Sequence, residues 1–549
     1  MKFKLKYLIA VTLLALSCSE KPLVNGQDTD GLVPSADATV YGVVSCGGNP
    51  VSGVVVSDGV EVVQTNKDGV YNLASKKRNS YVFISVPSGY CVKNTGVTSC
   101  MFWKTLKKGA TQKERVDFSL VKEDQNRFKM IVMGDIHLYS NSTASRFVST
   151  FVTEVNKYVK YVSTEPVYGL TLGDMTWDWY WYENNFSIEQ YLPQINRLSG
   201  ISVYNTVGNH DHDMNFNSKE EFLTTGQDWT CMKKYRALQG PTCFSYNIGG
   251  VHFVSLDDAI TIDTGDISDK DSRGCWRGIT NEDMAWLKKD LACVSEDTPV
   301  VVSVHVPLFG RTGQPNNGNS KSVNYAVDAI VAPFAKFQKV LFISAHTHLM
   351  YNTIDYDVNG LKVTEWNNGA VCGNFWTTAG KGLNLCTDGT PGGYRILSVS
   401  NGQFQSVYKG IAKKEDYLFR TYDRNMMNLD EDSLKGHTAG NIAGSNADNW
   451  VYIRIWDYKP SWKLTVKEYD SQLQVERFDS YDPLYMLMYS VGKTSTTPSK
   501  TFNMFRVKAS SKNSPLTVTV TDEYGRSRTE NMTRPKPFTI DTYIAEQAE

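Results

Sequence analysis

Five stretches of the chain end an apolar run in a cluster of His, Asp or Asn. The first three are Lys129-Met-Ile-Val-Met-Gly-Asp135-Ile-His137, Val167-Tyr-Gly-Leu-Thr-Leu-Gly-Asp174 and Ile201-Ser-Val-Tyr-Asn-Thr-Val-Gly-Asn209-His210-Asp211. Val300-Val-Val-Ser-Val-His305 and Val340-Leu-Phe-Ile-Ser-Ala-His346-Thr-His348 complete the set. The chain has eight histidines, and five of them fall here. In two clusters, Asp135-x-His137 and His346-x-His348, the side chains stand two apart, and on an extended segment such side chains point the same way. Leaving His210 and Asp211 aside, the stretches supply two carboxylates (Asp135, Asp174), one amide oxygen (Asn209) and four imidazoles (His137, His305, His346, His348). That is too few for two closed tetrahedral cages. It suits two open sites sharing a bridging carboxylate, and open sites are the catalytic kind.

The elements that must position these residues follow from the runs themselves. Apolar, β-rich runs of this length read as buried strands of a sheet covered on its faces. Ligands of such sheets gather outside the carboxyl ends of the strands. Between the runs, Phe147, Val148, Phe151, Val152, Val155, Tyr158, Val159 and Val162 form a helical stripe over 144–162, as a crossover helix requires. A second helix is expected within 183–198. A third is expected to start at Thr280, a capping residue with Asp283 three places on, and to lead into the His305 strand.

The order D-x-H, GD, GNHD, H, H-x-H resembles the calcineurin-like metallophosphoesterases over about residues 126–376. The resemblance implies an α/β fold, an αββα sandwich of two mixed sheets flanked by helices, with two divalent metal ions at the strand ends. It implies Asp135, His137 and His348 as ligands of one metal, and Asn209, His305 and His346 as ligands of the other. Asp174 would bridge them, and His210 would face the phosphate as a catalytic residue without binding metal. Two positions depart from the family pattern. Ala345 stands where Gly is usual, and Trp177 stands where an Asp is common, which leaves Asp178 or Asp211 to orient His210. Imidazole and carboxylate ligands without thiolate suit Mn, Fe or Zn. The chemistry implied is phosphoester hydrolysis, of a monoester or a diester, by metal-activated hydroxide. A surface binding lipoprotein with a vestigial core is the contrasting reading, but all seven expected ligands are present. A nuclease is another; with 57 Lys and Arg against 58 Asp and Glu, the chain lacks the basic surplus of a nonspecific nucleic-acid binder, and no nucleic acid is expected as partner.

The ends of the chain read separately. Lys2, Lys4 and Lys6 precede an apolar stretch, Tyr7 to Leu16, too short to span a bilayer. Ala15-Leu16-Ser17-Cys18 resembles the lipobox of bacterial lipoproteins, with Ala where Leu is usual at its first place. Residues 1–18 are thus expected to be a lipoprotein signal peptide. Cys18 becomes the anchor to a bacterial membrane, on the periplasmic or surface face of the outer membrane. Polar residues 19–37 read as a flexible tether. Such a location points to phosphorylated small molecules, glycans or lipid head groups as substrates.

Residues 38–122 read as an N-terminal β-sandwich of short strands punctuated by Gly47-Gly48-Asn49-Pro50, Ser57-Asp58-Gly59 and Lys67-Asp68-Gly69. Residues 385–549 read as a C-terminal β-rich domain with a hairpin at Thr519–Arg526. In an exported chain, Cys231 with Cys243 and Cys372 with Cys386 are candidates for disulfides. Two loops border the motifs. The aromatic run Trp177-Asp-Trp-Tyr-Trp-Tyr182 either lines a pocket or packs the loop, and Gly310–Ser322 reads as a mobile loop over the site mouth.

Overall fold

The strand that leads to Asp135 is buried on both faces. In β1 (Arg127–Met133), Met130 and Val132 point into one core, while Ile131 and Met133 point into another. A period of two with both phases apolar is what a sheet between two layers demands. The structure, a computed structural model, describes residues 31–93, 101–214, 227–263, 273–316, 326–378, 383–427 and 448–546. Residues 1–36 and 37–549 form two units; in the first, the described residues 31–36 hold no helix or strand. The signal peptide, Cys18 and most of the tether lie outside the described residues.

The centre of the second unit is a pair of mixed sheets. One runs β3 (Ser202–Thr206), β2 (Val167–Leu172), β1, then Gly393–Ser400 and Gln403–Gly410, with β1 to β3 parallel and the other two antiparallel. The other runs Phe244–Ile248, Val251–Ser255, β4 (Val300–Ser303), β5 (Val340–Ser344), Leu361–Asn367 and Tyr351–Val358, with parallel pairs from Val251–Ser255 through Leu361–Asn367. Their facing sides share one core, in which Phe128, Met130, Val132, Leu170 and Leu172 lie with Phe253 and Val301, the Phe128 and Phe253 ring centroids 6.3 Å apart. Thr206 donates its hydroxyl to Ser303 across the gap at 2.9 Å. The outer face of the first sheet is covered by Phe147, Phe151, Val155, Tyr191 and Ile195, and helix Asn281–Leu291 packs against the shared core. This is the αββα sandwich.

The expected helices form. The first is Asn141–Phe147, continued through a π-helical turn, Val148–Val152, into Thr153–Tyr161, and Ser140 caps it by accepting from the Thr143 amide at 3.2 Å. The second is Ile188–Ile195, and the third is Asn281–Leu291, capped by Thr280. The core sheet, however, continues past residue 376. Gly393–Ser400 pairs directly with β1, so 393–410 belong to this layer and not to a separate C-terminal domain. Their alternation matched that of the later strands, and pairing partners are not visible in local pattern.

The N-terminal sandwich packs on the second sheet. Phe83 and Phe102 lie against Trp286 and Phe244, with ring centroids 6.2 and 5.1 Å apart, and the Trp286 indole donates to Ser57 at 3.1 Å. The C-terminal strands form two four-stranded sheets, one of them with the antiparallel pair Leu516–Thr521 and Ser527–Met532 at the expected hairpin. They are tied to the core by buried ion pairs, Arg395 on Asp457 and Arg454 on Asp388. No disulfide forms among the described residues: Cys231, Cys243, Cys372 and Cys386 are buried and lie outside any disulfide. Proximity in sequence suggests their pairing, but Cys243 Sγ accepts from the Asp257 amide at 3.2 Å and Cys386 Sγ from the Ala370 amide at 3.3 Å. Trp286→Ala is expected to destabilise the protein by about 3–5 kcal/mol through the cavity left at this contact, measured by denaturant unfolding.

Candidate metal centre

Each motif lies just beyond the carboxyl end of its strand: Asp135 and His137 after β1, Asp174 after β2, Asn209 and His210 after β3, His305 after β4, His346 and His348 after β5. Asp135, His137, Asp174, His346 and His348 all have positive φ, between 45° and 66°. Non-glycine residues there carry about 1–3 kcal/mol of strain each, which persists only where the surroundings enforce it. The expectation of an extended D-x-H segment is therefore corrected. The left-handed turns spread the side chains, and His346 and His348 face different partners. His346 Nδ1 lies 3.1 Å from His305 Nε2, whereas His348 Nε2 lies 3.2 Å from His137 Nε2.

The two loops after β2 and β3 touch at glycines. A Cβ on Gly208 would stand 2.2 Å from the Asp174 amide nitrogen. Ala345 fits where Gly is usual because it faces Gly134, which has no side chain to displace.

The carboxylates divide their oxygens. Asp174 Oδ1 accepts the His210 amide at 2.8 Å, and Oδ2 stands 3.4 Å from His137 Nε2 and 3.2 Å from His305 Nε2. Asp135 Oδ2 accepts the His346 amide at 3.0 Å, and Oδ1 is buried without a hydrogen-bond partner, 3.5 Å from His348 Nε2 and 4.0 Å from His137 Nε2. Asn209 Oδ1 lies 3.0 Å from His305 Nε2. His305 and His348 each donate Nδ1–H to a backbone carbonyl, Leu172 and Gly373, at 2.7 Å. Their Nε2 atoms are thereby turned inward as the metal-facing nitrogens, the arrangement typical of metal-bound His.

Donor atoms each about 2.1 Å from one cation stand about 3.0–3.4 Å apart. The His137, His348 and Asp174 contacts around one point and the Asp174, Asn209, His305 and His346 contacts around another match that spacing, with Asp135 Oδ1 slightly farther out at 3.5 Å from His348 Nε2 and 4.0 Å from His137 Nε2. Burial drives His348 down to about 4 and His346 to about 3, so both imidazoles are neutral. Burial pushes Asp135 up to about 8. Burial also acts to raise Asp174, but His305 and His210 outweigh it and hold that carboxyl well below the usual range. Asp135 and Asp174 repel across this gap, and Asp135 Oδ1 is left without a hydrogen-bond partner, unless cations lie between them. The residues present fit a pair of divalent metals.

His210 stands beside this cluster. Its Nδ1 pairs with Asp178 Oδ1 at 2.6 Å, so Asp178, not Asp211, is its orienting partner. Asp211 is absorbed by the backbone, accepting from the amides of Met175, Thr176 and Gly208. It clamps the Asp174 and Asn209 loops together and touches no reacting group. Its position next to His210 in sequence had made it a candidate. Burial opposes a charge on His210, but Asp174 and Asp178 more than compensate and raise the imidazole above its ordinary value. Two more carboxylates, missed in the sequence, pin the His305 loop. Asp258 accepts from the amides of His305 and Val306, and Glu365 from those of Leu308 and Phe309. Their only signal was an Asp or Glu at or near the end of an apolar run. His212 donates Nδ1–H to the Gly208 carbonyl at 3.0 Å, and His252 lies between Asn247 and Asp290. His437 lies outside the described residues. Of Gly310–Ser322, residues 310–316 are no free loop: Gly310 donates to Gln314, Asn316 to Leu308, and Arg311 pairs with Asp479 at 2.9 Å. Residues 317–322 lie outside the described residues.

Three family models match the chain in succession. "N terminal of Calcineurin-like phosphoesterase" covers 38–123, "Calcineurin-like phosphoesterase" 128–350, and "C terminal of Calcineurin-like phosphoesterase" 365–527. The chain belongs to the calcineurin-like phosphoesterase family. Among solved structures, a purple acid phosphatase isolated from yellow lupin (Lupinus luteus) seeds is 10% identical, with TM-score 0.35, over 65% of this chain and 66% of that chain, just short of two thirds of its length. A phosphopantetheinyl hydrolase from Mycobacterium tuberculosis is 10% identical, with TM-score 0.24, over 45% of this chain and 91% of that one. No curated protein matches the sequence.

In this family member, Gly208→Ala is expected to force the Asp174 and Asn209 loops apart. Elemental analysis of the purified variant should find metal content reduced at least tenfold from the wild-type value.

Proposed function

We propose that the protein is an exported, lipid-anchored phosphoesterase that hydrolyses phosphomonoesters or phosphodiesters of small molecules, glycans or lipid head groups. The observation that carries the reading is the single oxygen, Asp174 Oδ2, shared between two convergent donor sets. Asp135, His137 and His348 would hold one ion and Asn209, His305 and His346 the other, with Asp174 between them. Two bound divalent ions (Mn, Fe or Zn) supply Lewis-acid polarisation of the phosphoryl group and a hydroxide nucleophile near neutral pH.

The chain's own residues do the rest. Neutral imidazoles and two carboxylates leave the pair of ions with positive charge to spare for a phosphate. His210, held at Nδ1 by Asp178, presents Nε2 to the incoming ester and donates its proton to the leaving oxygen. The carboxylates of Asp174 and Asp178 favour the protonated imidazole against the cost of burial. Export and anchoring rest on residues 1–18 and Cys18 as read from the sequence.

His210→Ala should lower kcat about 100-fold while both metals stay bound, and Asp174→Asn should lose metal and activity together. Normal phosphoester turnover by Asp174→Asn would contradict the assignment. Asp178→Asn removes a charge that raises His210. It should therefore move the alkaline limb of the pH–rate profile to lower pH, read from kcat/KM against pH.

A further inference from the structure

The aromatic run after Asp174 divides into four rings held by a structural partner and one, Trp179, that is mostly exposed. Trp177 is half-buried, stacked on Phe375 at 4.4 Å. Tyr180 stacks on Tyr139 at 4.9 Å. Trp181 is buried, its indole donating to Thr176 at 3.0 Å, and Tyr182 donates to Asp213 at 2.6 Å. Trp179 is 64% exposed, the most exposed tryptophan in the described residues. Its ring stands 6.0 Å from the His210 imidazole at 89° and 5.6 Å from Trp177.

We propose that Trp179 is a stacking platform for the alcohol half of the ester, selecting leaving groups that present a flat ring face. The proposal rests on the reading of His210 as donor to the leaving oxygen. The departing alcohol then lies on the His210 side of the centre, where Trp179 is the exposed wall. The platform is held in place before substrate arrives. Trp181 anchors the loop from within, and Asn184 donates to the Tyr139 carbonyl at 2.9 Å. A rigid indole loses little freedom on binding, and its face suits the C–H face of a pyranose or the π face of an aryl ring. An acyclic polyol offers no such face.

The test uses the full chain loaded with Mn and three leaving groups: glucosyl phosphate, phenyl phosphate and glycerol phosphate, each as the monoester and as its methyl diester. Trp179→Ala should lower the ratio of kcat/KM for a ring-bearing ester over the glycerol ester about tenfold, and Trp179→Phe should restore most of it. Tyr469→Ala, at another exposed ring in the C-terminal region, should leave the ratio as it is. A fall confined to the glucosyl ester identifies a carbohydrate leaving group, and one confined to the phenyl ester an aryl group; either supports the platform. An unchanged ratio, or an equal loss for all esters, overturns it while the phosphoesterase reading stands. No turnover of any ester by metal-loaded wild-type protein overturns both.

Discussion

One carboxylate oxygen governs the architecture. Asp174 Oδ2 faces imidazole nitrogens on two sides, and four more donors crowd within a few ångströms of them. Without cations, the carboxylates of Asp135 and Asp174 repel and Asp135 Oδ1 has no hydrogen-bond partner, and burial removes the water that would screen them. A fold that gathers them must be held together by other interactions strong enough to oppose that repulsion. Its stability and its function are in tension at the same few atoms.

The opposition comes from the backbone. One oxygen of each carboxylate is committed to an amide, Asp174 to His210 and Asp135 to His346, so the remaining oxygen is aimed by a bond on the opposite side. Asp211, Asp258 and Glu365 take up loop amides that the strand ends leave unpaired. Five residues held at positive φ are the cost of turning the chain sharply enough to bring each side chain inward. The two sheets supply the rigid base: three loops leave one sheet and two leave the other, and close packing between the sheets sets the gap across which the donors meet.

The C-terminal region reaches into this arrangement. Asn374 donates to Tyr485 and Thr494, and the neighbouring Gly373 carbonyl fixes the His348 ring. Phe375, next in the chain, packs on His137, His348 and Trp177. One short segment therefore links the later strands to the metal-facing nitrogens and to the aromatic wall. The N-terminal sandwich, in contrast, covers the apolar side of Tyr204, Phe244 and Trp286 and contributes none of the donor atoms.

The amino-acid sequence by itself determined the strand runs, the helices and the nine polar residues at their ends, because alternation and capping are local properties of the chain. It left open whether Asp178 or Asp211 serves His210, since both are close in sequence and only the path of the loops brings Asp178 Oδ1 to the ring. It missed that 393–410 complete the core sheet, because strand pairing joins residues more than 260 positions apart. It also suggested thiol pairs that do not form, and an extended D-x-H geometry that the left-handed backbone replaces. Local pattern reports what a residue can do. Which groups face one another is decided by tertiary packing, which alone sets the distances at which lone pairs repel or share a cation.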